Sequence, residues 1–87
     1  MEKEEVFEFP CRYPIKAMGR ADGALAEEIL KVIRRHAEGV GAEDITTRPS
    51  PRGNYVSVTV TITAHSRAQL EAIYGDLRAH ELVLMTL

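Results

Sequence analysis

The chain has 87 residues and a mass of 9.7 kDa, enough for one domain around one hydrophobic core. With 45% hydrophobic and 28% charged residues it is too apolar for a disordered segment and ordinary for a globular one. Its 11 Lys and Arg stand against 13 Asp and Glu, a formal net charge of -2, so it lacks the basic excess that drives nucleic-acid binding.

The charge is unevenly placed. Residues 1–10 hold Glu2, Glu4, Glu5 and Glu8 against Lys3 alone, a balance of -3 that leaves +1 for the remainder. This stretch reads as a flexible acidic N-terminal arm with Phe7 and Phe9 as apolar anchors ahead of Pro10, and residues 11–87 read as a single domain. No apolar run approaches the ~20 residues of a membrane span. An acidic start is also unlike the basic start of a signal peptide, which predicts a cytoplasmic protein with no membrane partner. Cys11 is the lone cysteine, excluding an internal disulfide and a cysteine-based metal cluster.

From Cys11 to Met18 the side chains alternate, with Tyr13, Ile15 and Ala17 on one side and Pro14, Lys16 and Met18 on the other. That period is a half-buried strand, ended by Gly19. Asp22 is the expected N-cap of an amphipathic helix whose stripe is Leu25, Ile29, Val32, Ile33 and His36. Gly39 offers the left-handed turn that stops it. A short second strand is expected between Glu43 and Ser50, built on Ile45 and Thr47 and held to a sheet edge by Pro49. Residues Ser50 to Asn54 reverse the chain. In the strand that follows, Val56, Val58, Val60 and Ile62 alternate with Tyr55, Ser57, Thr59, Thr61 and Thr63, giving one apolar and one hydroxyl-lined face. Ser66 and Gln69 form a capping-box pattern ahead of a stripe of Leu70, Ile73, Tyr74 and Leu77. Leu82 to Leu87 read as a last strand at an edge. The order β-α-β-β-α-β is that of an α+β ferredoxin-like sandwich, an antiparallel four-stranded sheet with two helices on one face. The first and third strands, richest in apolar side chains, belong in its centre, and Val58, Val60, Ile29 and Ile33 in its core.

Catalytic chemistry finds no support. His36, His65 and His80 are far apart and none has a metal-spaced partner. His36 fits a satisfied position at the core edge near a helix C-terminus, while His65 and His80 read as solvated. Cys11 reads as a half-buried strand residue. No nucleophile, base and orienting group can be assembled, so the expectation is no enzyme, no catalytic residues, no metal and no cofactor.

Occupants of this fold can be compared by motif. Heavy-metal-binding domains carry Cys-x-x-Cys after the first strand, where this chain reads Met18-Gly19-Arg20-Ala21-Asp22. RNA-recognition modules display stacking aromatics on the third strand. Here Tyr55 is the sole aromatic and is displaced, so no nucleic-acid partner is expected. The run Asp22-Gly23-Ala24-Leu25-Ala26-Glu27-Glu28-Ile29 resembles the entry into the first helix of ACT-type amino-acid-binding regulatory domains. That resemblance implies a small ligand near Gly23, where a missing Cβ lets it approach backbone N–H groups.

A longer resemblance runs through nearly the whole chain. Phe9-Pro10, Ile15 to Gly19, Arg48 to Val58 and Val83 to Leu87 resemble the small bacterial YbeD family, most sharply in Arg48-Pro49-Ser50-Pro51-Arg52-Gly53-Asn54-Tyr55-Val56-Ser57-Val58. The resemblance implies an ACT-like, ferredoxin-like fold, a family without an established biochemical role, and a link to lipoate metabolism by gene proximity alone. It brings no catalytic residues.

Two surfaces follow from the residues themselves. Arg48, Ser50 and Arg52 cluster at the second hairpin, with Gly53 and Asn54 for backbone freedom, and two guanidinium groups there can hold a carboxylate or phosphate. The open sheet face carries Lys16, Met18, Tyr55, Ser57, Thr59 and Thr61. The combined expectation is a non-enzymatic regulatory or adaptor domain that senses a small anionic metabolite or contacts a partner enzyme; the alternative is a protein-interaction module without a ligand. The partner is either an unknown protein or a second copy in a weak homodimer, held through the last strand and the face bearing Tyr55.

Overall fold

The structure, a computed structural model, describes residues 8–21 and 23–87. Phe7 and the expected cap Asp22 lie outside the described residues. Strand β1 spans Cys11–Arg20, α1 Leu25–Arg34, β2 Ile45–Pro49, β3 Tyr55–Ala64, α2 Arg67–Ala79 and β4 Met85–Thr86. The strands run antiparallel in the order β2-β3-β1-β4, so β1 and β3 are central and β2 and β4 are edges, as expected.

The period-2 pattern decides the two faces. Ile15 and Ala17 of β1 and Val58, Val60, Ile62 and Ala64 of β3 are buried beneath the helices. From above, α1 contributes Leu25, Ile29, Val32 and Ile33, and α2 contributes Leu70, Ile73 and Leu77. Phe9 packs against the edge of this core, as one of the two expected anchors.

Pro14 lies inside a central strand, where a residue without an N–H is normally excluded. Its place follows from register. The Leu87 N–H donates to the Lys16 carbonyl at 3.0 Å, so the even-numbered residues of β1 turn their backbone toward β4. β4 reaches only Met85–Thr86, and Pro14 therefore aims its nitrogen at a free stretch of edge.

Several boundaries differ from the sequence reading. β1 continues through Gly19 to Arg20 because Gly19 and Arg20 still pair with Val56 and Tyr55. The α1 N-cap position is Ala24, which offers no side-chain cap. The first helix closes at Arg34, whose guanidinium donates twice to the Val40 carbonyl (3.1 and 2.9 Å), while Gly39 takes a φ of 74° in the turn that follows. A 3-10 turn at Ala42–Asp44 precedes β2, held by the Gly41 N–H donating to Asp44 Oδ2 at 2.9 Å. β4 is shorter than Leu82 to Leu87, because residues 80–83 turn on themselves: the Val83 N–H donates to the His80 carbonyl and the Leu82 N–H to His80 Nδ1. At α2 the Ser66 hydroxyl accepts from the Gln69 N–H at 3.0 Å, and Gln69 Oε1 accepts from His65 N–H rather than from Ser66.

Candidate functional site

Both helices cover one face of the sheet, and no element among the described residues covers the other. Register assembles that open face in rows. Arg48 pairs with Ser57 and Ser57 with Met18, which pairs with Met85. In the next row Thr46 lies beside Thr59, and Thr59 beside Lys16. Leu87 follows through its bond to Lys16. Arg12 and Arg20 extend the same side of β1 to either end. Arg12 meets Asp44 at 3.1 Å, and the Arg20 guanidinium lies 5.9 Å from the centre of the Tyr55 ring. The Asp44 carboxyl is held below its ordinary value, first by the Gly41 N–H and further by Arg12. A chain of net charge -2 thus turns four cations to one face, where Asp44 is the acid paired with them among the described residues.

A concavity of about 210 Å³ opens on this face between Lys16 and Arg48, with Thr46, Ser57 and Thr59 forming its floor and Leu87 its lip. The rim toward β4 is apolar: Leu84, Met85 and Leu87 are 56%, 50% and 58% exposed. The outer edge of β4 has no strand partner among the described residues.

The sequence-predicted anion cluster is distributed differently. Arg48 sits on the open face with Lys16, whereas Arg52 is exposed in the turn and lines none of the three concavities. The turn's own donors are engaged. The Gly53 N–H donates to the Ser50 carbonyl at 2.9 Å, and the Tyr55 N–H to the Ser50 hydroxyl at 3.1 Å. Gly53 takes a φ of 78°, the conformation that the reversal requires. The Ala21 N–H reaches the Asn54 carbonyl at 3.0 Å, tying this turn to the β1–α1 loop. Gly23 stands in that loop with a φ of 91° and borders a second cleft, about 300 Å³, largely apolar between the start of α1 and strands β2 and β3.

A third concavity, about 230 Å³, lies between β1 and α2 and is lined in part by Phe9, Tyr13 and Tyr74. Burial pushes the Tyr74 hydroxyl up to about 12, and neighbouring Tyr13 adds to the shift against a hydrogen bond from the Lys16 backbone. The folded pKa is raised, so Tyr74 contributes its full stability below pH 10 and loses it as pH rises toward 12. Urea midpoints measured across that window should fall with pH, and Tyr74→Phe should flatten the fall. A slope unchanged in the variant would place the titration elsewhere.

Two of the histidines link the helices. His36 Nε2 lies 2.7 Å from Asp76 Oδ2, and the His36 carbonyl accepts from Gln69 Nε2 at 2.8 Å, joining the end of α1 to α2. His80 is not the loosely solvated residue expected from sequence. Its Nδ1 accepts from Leu82, which puts the ring proton on Nε2, 3.2 Å from Glu28 Oε1. The Glu28 carboxyl is lowered first by Lys31 and then by His80. No i,i+4 spacing announces these pairs, since both link residues 40 or more apart. Cys11 is a free, half-buried strand thiol. Among the described residues no group of three His, Cys, Asp or Glu is placed to hold a metal, and no helix is long and apolar enough to cross a membrane.

Comparison with known proteins places the chain among small bacterial relatives. The profile of a family described as "Protein of unknown function (DUF493)" matches residues 4–87. A UPF0250 protein of Paraburkholderia phytofirmans is 46% identical, covering 97% of this chain and 94% of the relative. One from Chromobacterium violaceum is 44% identical, covering 99% and 97%. These matches bear out the resemblance to the YbeD family. The solution structure of HP0495 from H. pylori superposes with a TM-score of 0.68, covering 98% of this chain and 89% of that one. At 15% identity that likeness establishes the ferredoxin-like fold alone.

Proposed function

The chain belongs to the DUF493 family, and from that premise we propose that it is a non-enzymatic regulatory or adaptor domain of the cytoplasm that works by contact. One observation carries this reading: an open sheet face continuous with an unpaired edge strand whose exposed side chains are Leu84, Met85 and Leu87. Unpaired edges with no charge, proline or bulge are the places where another chain adds to a sheet. The contacts of His36 with Asp76 and of His80 with Glu28, which join the two helices, are in keeping with this reading.

Side-chain direction selects the residue that tests this edge. Thr86 pairs with Ala17 and so faces the helix side, whereas Met85 pairs with Met18 on the open face. Met85→Lys should abolish capture of a partner from native cytosol, or self-association in sedimentation at rising concentration, while leaving the circular dichroism spectrum intact. Monomer up to millimolar protein, which excludes self-association tighter than about 4 kcal/mol, together with capture indifferent to Met85→Lys, would defeat the proposal. A ligand-sensing reading of ACT type is favoured by the apolar cleft beside Gly23, where that resemblance expects a small molecule.

A further inference from the structure

We propose that the concavity between Lys16 and Arg48 is a binding site for a phosphoryl group. The two cations come from the strands on either side of β3, one register step apart. With strands about 4.8 Å apart and a two-residue offset of about 6.6 Å along β3, their Cα atoms stand roughly 12 Å from one another, within reach of two long side chains that line one concavity with Ser57 and Thr59. Neither has an acidic partner among the described residues, in contrast to Arg12, which holds Asp44. Two like charges lining one concavity repel, and an anion between them relieves that repulsion.

The chemistry of the donors selects the anion. Lys16 offers three N–H groups, Arg48 a fork of five, and Thr46, Ser57 and Thr59 a hydroxyl each. A carboxylate has one charge and two oxygens and leaves much of this unused. A phosphate monoester, with up to two charges and three terminal oxygens, engages both cations and the hydroxyl floor. At about 210 Å³ the concavity suits one such group rather than a whole metabolite. Ser57 and Thr59 lie on a central strand paired along its length with β1, and Thr46 on β2 pairs with Thr59, so the hydroxyls are held in place before any ligand arrives. The hairpin turn offers no equivalent, because its Gly53 and Tyr55 N–H groups already bond to Ser50. The site goes beyond the docking role and does not depend on it: it belongs to the isolated chain, whereas docking concerns the β4 edge.

Titration of the protein with inorganic phosphate at constant pH and ionic strength tests this by NMR. The amide signals of Thr46, Ser57 and Thr59 should shift and saturate. Arg48→Gln and Lys16→Gln should each weaken the half-saturation by roughly tenfold, about the value of one charge-assisted hydrogen bond, and Arg52→Gln should leave it unchanged. All three positions are exposed, so the variants should keep the dispersed spectrum of the folded chain. Glycerol phosphate and a phosphoserine peptide then separate the sources: a tighter free ester assigns a metabolite, a tighter peptide a modified protein. Shifts that never saturate, acetate binding as tightly as phosphate, or Arg52→Gln weakening the response as much as Arg48→Gln would each overturn the assignment.

Discussion

Ile33→Ala should lower the unfolding free energy by about 2–5 kcal/mol, read from urea midpoints at unchanged slope. Ile33 is completely buried on α1, where it packs in the same core as Val58 and Val60 from the sheet and Ile73 from α2. Three methyl or methylene carbons are removed, and the neighbours are held by a strand paired along its whole length, so the space closes poorly. For an 87-residue domain such a loss is a large part of the total stability. A midpoint within error of the parent would mean that α1 turns another face to the sheet.

Gly19→Ala should cost about 1–3 kcal/mol, unusual for the addition of one methyl group. A Cβ at Gly19 would overlap the Leu82 carbonyl oxygen and stand 2.9 Å from a Leu25 methyl. The carbonyl is backbone, so relief requires the 80–83 turn to move, and that turn delivers the chain to β4. The expected result is a lower melting temperature together with amide shift changes at Leu84 and Met85. Gly75→Ala serves as the control, since nothing lies within 4 Å of a Cβ there and alanine favours a helix interior. If Gly19→Ala were as stable as Gly75→Ala, the close approach of Leu82 would be disproved. Gly19 read in sequence as the end of a strand; its structural reason is this approach.

The candidate site was legible in pieces. Alternation alone puts Lys16, Ser57 and Thr59 on the open face, whereas in sequence Arg48 groups with Arg52 at the Pro-rich turn four residues away. Alternation within β2 could not say which of its faces joins the open side until its pairing was known. The partnership of Arg48 with Ser57 places it on the open face, diagonally across β3 from Lys16 on one concavity, and leaves Arg52 behind in the turn. The histidine pairs were hidden for a similar reason. Nothing local distinguishes a His that meets a carboxylate across two helices from one that meets water.

By itself the sequence determined the six regular elements, their order, the buried face of β1, β3 and both helices, and the central position of β1 and β3. Those properties rest on periods of 2 and 3.6 residues and on turn and cap residues, all of which act within a few positions of the chain. Only the tertiary structure decided which cations share a concavity, which carboxylates hold His36 and His80, and how little of the last segment becomes strand. It did so because each depends on register or on the distance between segments more than 30 residues apart, and hydrophobic patterning specifies which face is buried without specifying which side chains meet on the other.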